Sequence, residues 1–108
     1  MAIGDWIEIC DAAEVPPGEG VRVEIGDEPI ALWNVDGSYY ATQDSCTHEE
    51  TSLVEGDLWG DVVECPLHGA QFDVTNGEVL SLPAVVSLRT YPVKVEDGKL
   101  YIEWNAEA

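Results

Sequence analysis

The sequence predicts an all-β domain, on three observations. Short segments alternate apolar and polar residues with a period of two, Asx-Gly pairs recur between them, and almost nothing in the chain can sustain a helix.

In chain order, "WIEIC" ends on Cys10, which stands far from either histidine and is read as a small strand or core residue, the usual fate of a free cysteine. "DAAEVPPG" is the one helix candidate: Asp11 caps a single turn before Pro16 and Pro17 stop it. "VRVEI" sets Val21, Val23 and Ile25 against Arg22 and Glu24. "IALWNV" and "YYAT" flank Asp36-Gly37, which reads as a hairpin turn. Asn76-Gly77 and Asp97-Gly98 supply two more turns of residues that tolerate positive φ. Pro92 in "RTYPVKV" lacks a ladder donor, so that strand lies at an edge or enters its sheet there. "KLYIEW" sets Leu100, Ile102 and Trp104 against charged or amphipathic neighbours.

At 108 residues the chain is expected to form one domain over 1–108, with one modest core and no room for a second, catalytic domain. No internal repeat, linker or low-complexity segment interrupts it. "MAIGDWIEIC" carries Asp5 and Glu8 where a signal peptide would be apolar, and the longest apolar run, Leu82 to Val86, is too short for a bilayer. A soluble, cytoplasmic protein is the expectation. The formal charge of -18 argues against nucleic acid and anionic membranes as partners, and makes a monomer the default through self-repulsion. A protein partner should offer a basic patch.

Three cysteines in a cytosolic chain make a disulfide framework a poor expectation and metal binding a better one. The spacing supports this. "SCTHEE" places Cys46 two residues before His48, and "ECPLHGAQFD" places Cys65 three before His68. Two histidines scattered at random would both fall within three residues of a cysteine about 3% of the time, so chance explains the pattern poorly. Pro66 and Gly69 shape a tight loop around the second pair. Taken singly, each cysteine is ordinarily a buried thiol and each histidine a surface or hydrogen-bonded side chain; the four together point to a shared site carried on two loops.

Zinc is the first metal to test, since Cys₂His₂ is one of its structural sets, but its usual spacing joins Cys with Cys and His with His. Here each loop contributes one of each. A two-iron cluster with chemically different ends suits that mixture.

The pattern C-x-H, sixteen residues, then C-x-x-H, written as Cys46-Thr47-His48 and Cys65-Pro66-Leu67-His68, resembles the Rieske [2Fe-2S] signature, with "CTH" and "CPLHG" as its specific parts. In length and strand layout the whole chain is similar to the Rieske-type ferredoxins of bacterial aromatic-ring dioxygenase systems. The resemblance implies one [2Fe-2S] cluster, with Cys46 and Cys65 on the inner iron and His48 and His68 on the outer one. It also implies a fold of small stacked antiparallel sheets with two cluster-binding loops, and a third loop over the cluster, for which "SLPAVV" around Pro83 is the candidate. Respiratory Rieske proteins carry an extra cysteine in each loop and two hydroxyls that bond the cluster sulfurs. Thr51 and Leu67 stand at those cysteine positions, and Ala70 and Phe72 at the hydroxyl positions, so the match is to the low-potential, disulfide-free branch.

A cluster with all four protein positions filled has no open site for substrate, which implies an electron carrier and no catalytic residue. An oxygenase would need a further mononuclear iron with two more histidines, and both histidines are already used. A reductase would need a dinucleotide fingerprint, but "GEGVRVEIG" has Val23 where the third glycine belongs. The resemblance implies a shuttle between a flavin-containing ferredoxin reductase and a terminal Rieske non-haem iron oxygenase, in aromatic-compound catabolism. Glu49, Glu50 and Glu55 lie near the first ligand loop, either as docking charges or as solvated side chains. A Cys₂His₂ zinc interaction module and a small Rieske-like subunit of a nitrite reductase are the alternatives.

Overall fold

The computed structural model describes residues 5–45, 51–66, 69–81 and 86–104. Among the described residues eleven strands form three antiparallel sheets. The base sheet has the order β1-β11-β10, from Asp5–Asp11, Lys99–Trp104 and Val93–Glu96. The central sheet has the order β2-β3-β4-β9, from Gly20–Ile25, Glu28–Val35, Ser38–Gln43 and Thr90–Tyr91. The third sheet runs β5-β6-β7-β8, from Asp57–Trp59, Val62–Glu64, Gln71–Asp73 and Val79–Ser81.

Strand β3 explains why these sheets stack. Ile30, Ala31, Leu32, Trp33 and Asn34 are all buried, a run without alternation, as expected of a strand covered on both faces. Ile30 and Leu32 join Val15, Ala41, Leu100 and Ile102 in one core, against the base sheet. Ala31 and Trp33 join Leu53, Val63, Cys65, Ala70, Phe72 and Val74 in a second, against the third sheet. Successive side chains on a strand point to opposite faces, so β3 alone serves both cores. Its polar member is satisfied: Asn34 Nδ2 donates to the Val15 carbonyl at 2.8 Å, and Asn34 Oδ1 accepts the Gly37 N–H at 2.8 Å.

The expected hairpins at Asp36-Gly37 and Asp97-Gly98 are present as two-residue turns, closed by Val35 opposite Ser38 and Glu96 opposite Lys99. All four turn residues take positive φ. Asn76-Gly77 differs. Only Gly77 of that pair is at positive φ, inside a longer loop in which Gly77 N–H donates to the Asp73 carbonyl at 2.6 Å and Asp73 Oδ1 accepts the Thr75 N–H at 2.8 Å. Asp73 organises this turn before Asn76 is reached.

Pro92 stands between β9 and β10, where the chain leaves the edge of the central sheet for the edge of the base sheet, in keeping with its missing N–H. The predicted helical turn is a 3₁₀ turn, Ala12–Glu14, with Glu14 Oε2 accepting the Asp11 N–H at 3.0 Å. Cys10 lies in β1, half-buried against the base core. Among the described residues no helix is long and apolar enough to cross a membrane.

Candidate metal centre

The first loop runs from β4 of the central sheet to the 3₁₀ turn before β5, and the second lies within the third sheet. The first loop is closed at its stem by a bridge between Ser45 and Ser52, with the Leu53 N–H donating to the Asp44 carbonyl at 2.7 Å. The second joins β6 to β7, where Cys65 N–H donates to the Ala70 carbonyl at 2.7 Å and Gly69 N–H to the Cys65 carbonyl at 3.1 Å. Gly69 makes this turn at φ +78°, a region that favours glycine.

What brings the two loops together is the 3₁₀ turn Leu53–Glu55 and the glycine after it. Leu53 is fully buried in the core that contains Cys65. Gly56 packs so closely on the second loop that a Cβ there would strike the Glu64 carbonyl and lie 3.1 Å from Pro66 Cδ. The return limb of the first loop therefore rests directly on the Glu64-Cys65-Pro66 backbone.

Of the four residues singled out in the sequence, the structure places Cys65 at this junction, 2% exposed and among apolar side chains, as a free thiol. Cys46, His48 and His68 lie outside the described residues, as do Leu82, Pro83, Ala84 and Val85 of the proposed third loop. A shallow hollow lined by Glu55, Gly56, Asp57, Glu64, Pro66 and Gly69 opens beside Cys65. Ala70 and Phe72 are fully buried near it, and neither carries a hydroxyl.

Charge is distributed unevenly around this site. No Lys or Arg occurs between Arg22 and Arg89. Each of the four basic side chains already faces carboxylates: Arg22 faces Glu24 and Asp44, Arg89 Glu28, Lys94 Glu96, and Lys99 Glu8 and Asp11. Among the described residues of the two-loop end, Glu55 and Asp57 are exposed and have no basic neighbour in sequence.

Sequence reasoning missed Gln43 and Asp44, which hold the stem of the first loop. Their signal in "ATQDSC" is weak, since a polar pair before a loop is commonplace.

A buried cysteine thiol where the limbs of two loops meet, in a chain whose two motifs each pair a cysteine with a histidine, points to the class: a β-scaffold for a metal centre. The Rieske [2Fe-2S] domain family matches residues 5–92. The chain is 47% identical over 96 residues to the ferredoxin component of biphenyl 2,3-dioxygenase from Rhodococcus jostii (strain RHA1), covering 89% of this chain and 90% of that protein. It is also 47% identical over 98 residues to the ferredoxin subunit of 3-phenylpropionate/cinnamic acid dioxygenase from Escherichia coli (strain K12), covering 90% and 92%. A solved complex of reduced oxygenase and oxidized ferredoxin in carbazole 1,9a-dioxygenase contains a chain superposing at a TM-score of 0.85, with 42% identity over 91% of this chain and 92% of that one. The protein belongs to the Rieske [2Fe-2S] ferredoxins, the electron-transfer components of bacterial aromatic dioxygenase systems, and its cofactor is one [2Fe-2S] cluster. The donor chemistry fits that group, and the zinc reading is set aside.

Proposed function

We propose that the cluster is held by Cys46 and Cys65 through sulfur and by His48 and His68 through nitrogen, and that the protein carries single electrons from a flavin-containing reductase to a terminal oxygenase. When bound, a [2Fe-2S] cluster supplies reversible one-electron chemistry. The observation that carries the reading is the enclosed Cys65 thiol at the contact of the two loops. An apolar surround limits water access and tunes potential, while the histidine edge is left as the route for electrons.

Docking follows from charge. A basic surface on a partner would meet the exposed carboxylates of Glu55 and Asp57, in a stretch of chain with no Lys or Arg between Arg22 and Arg89. The carbazole system's oxygenase–ferredoxin complex supports an oxygenase as one partner. A reductase is the complementary donor that a carrier requires.

Residues 1–108 act as one domain, a reading supported by β3 contributing to both cores. Free thiols fit the reducing cytoplasm. A biphenyl and a phenylpropionate relative have the same identity to this chain, so identity alone does not select one aromatic substrate for its oxygenase. Reconstitution with purified reductases and oxygenases tests the reading: reductase-driven product formation should require this protein. Failure to pass electrons to any such oxygenase, with the cluster intact, would contradict it.

A further inference from the structure

The stem of the first loop contains a carboxylate that the ligand motif does not account for. Asp44 is enclosed, its side chain 2% exposed. Its carbonyl accepts the Leu53 N–H at 2.7 Å, its Oδ1 accepts the Val54 N–H at 3.2 Å, and its own N–H donates to the Pro29 carbonyl at 3.1 Å. One residue thus holds the returning limb of the loop by two donors and ties it to the central sheet by a third bond. The other carboxylate oxygen, Oδ2, faces Arg22 Nε at 3.6 Å. Arg22 reaches it from β2 with its side chain 47% exposed, and also contacts Glu24 at 3.3 Å.

Gln43 extends the arrangement. Its Nε2 donates to the Ser45 carbonyl at 2.9 Å, at the departing limb of the first loop, while its Oε1 accepts the Arg89 N–H at 2.8 Å. Arg89 follows the segment that contains Pro83. Two adjacent side chains therefore link both limbs of the first loop to the central sheet and to the backbone at Arg89.

An enclosed carboxylate costs several kcal/mol in desolvation unless hydrogen bonds and a counter-charge offset it. A neutral Asn would accept the same Val54 N–H, so the charge itself calls for a reason. We propose that Asp44 and Arg22 form a positioning pair that fixes the first cluster loop at its stem and sets the charge felt beside it. The inference rests on the reading that Cys46 and His48 are ligands. Reduction adds one negative charge to the cluster, so a nearby buried carboxylate opposes it and a nearby guanidinium favours it.

The two halves of the pair should then move the midpoint potential in opposite directions. Voltammetry at fixed pH and ionic strength should give a higher midpoint for Asp44→Asn and a lower one for Arg22→Gln. The double variant should return towards the parent value. Glu24→Gln, which removes only the exposed partner of Arg22, should leave the midpoint near that of the parent. Both Asp44→Asn and Arg22→Gln should lose their visible bands severalfold faster in urea. A merely structural pair would show the faster loss with no opposed shifts in potential, and that result would overturn the proposal. If Asp44→Asn does not fold, the half-exposed Arg22→Gln decides alone, and an unshifted midpoint rejects the pair. Cys46→Ser separates the underlying assumption: retention of the native cluster there would remove the ligand assignment, whereas unshifted midpoints in cluster-loaded Arg22 and Asp44 variants would leave it standing and reject the pair.

Discussion

The N–H of Cys65 donates to the carbonyl of Ala70 at 2.7 Å, so the residue that leaves the second loop is locked to the one that enters it. Ala70 and, one residue further along the chain from Gln71, Phe72 are fully buried in the core that contains Cys65. A hydroxyl bonded to a cluster sulfur would stabilise the reduced, more negative state and raise the potential. Neither residue can supply one. If each missing bond is differentially worth about 1 to 2 kcal/mol, the one-electron conversion gives roughly 40 to 90 mV per bond. The midpoint should fall in the lower part of the Rieske range, about -150 to +300 mV.

Ala70→Ser with Phe72→Tyr should therefore raise the midpoint. Burial sets the competing cost: a new hydroxyl with no partner in this core would destabilise by about 1 to 3 kcal/mol. Voltammetry and urea unfolding on the same sample separate the two. A raised midpoint supports the hydrogen-bond account, while lost stability at an unchanged midpoint would make Phe72 a packing residue only.

Gly56→Ala should disrupt the junction between the loops. Gly56 sits at φ -86°, which any residue adopts, so the penalty is steric: the new methyl meets the Glu64 carbonyl. Overpacking of this kind costs about 1 to 3 kcal/mol. Denaturation followed by visible absorbance should show lower stability and earlier loss of the cluster than in the parent. Parent-like values would mean that the two loops do not depend on this contact.

How much of this was legible in the sequence depends on element length. The Asp36-Gly37 and Asp97-Gly98 hairpins were readable because each needs two consecutive positive-φ residues, which Asp-Gly tolerates, between strands of at least four residues. The third sheet was not, since "DLW", "VVE", "QFD" and "VLS" are three residues each, too short to establish a period. The Cys/His motif was legible because coordination chemistry restricts residue type and spacing. The Asp44–Arg22 contact was not, because it joins β2 to a loop stem across the central sheet and no local pattern encodes it.

Cys10 should be a slow nucleophile. Burial pushes its thiol pKa up, and the carboxylates of Glu14 and Asp11 push it the same way. A raised thiol pKa favours the neutral form in the fold, so its contribution to stability is present below the unfolded pKa and is lost as pH rises through the folded one. Alkylation near pH 8, followed by mass spectrometry, should label Cys10 more slowly than a free peptide thiol. Cys10→Ser should leave the visible spectrum unchanged, and a bleached variant would show that the thiol does more than pack.

Electron delivery to a partner should weaken with salt. Glu55 and Asp57 are exposed carboxylates beside the two loops, so steering towards a basic partner is screened over a Debye length of about 8 Å at physiological ionic strength. Glu55→Gln and Asp57→Asn should each lower the second-order rate and flatten its salt dependence, measured by stopped flow. Rates indifferent to both salt and substitution would mean that these carboxylates are only solvated.

The central claim is that two imidazoles and two thiolates from the two loops hold the cluster. Electron–nuclear double resonance on the dithionite-reduced protein tests it most directly, because the unpaired electron reports the nitrogens bound to its iron. Couplings to two histidine nitrogens are predicted, one from each of the two histidines in the chain, with the signal from each removed by substituting His48 or His68. A reduced cluster with no strongly coupled nitrogen would contradict the account.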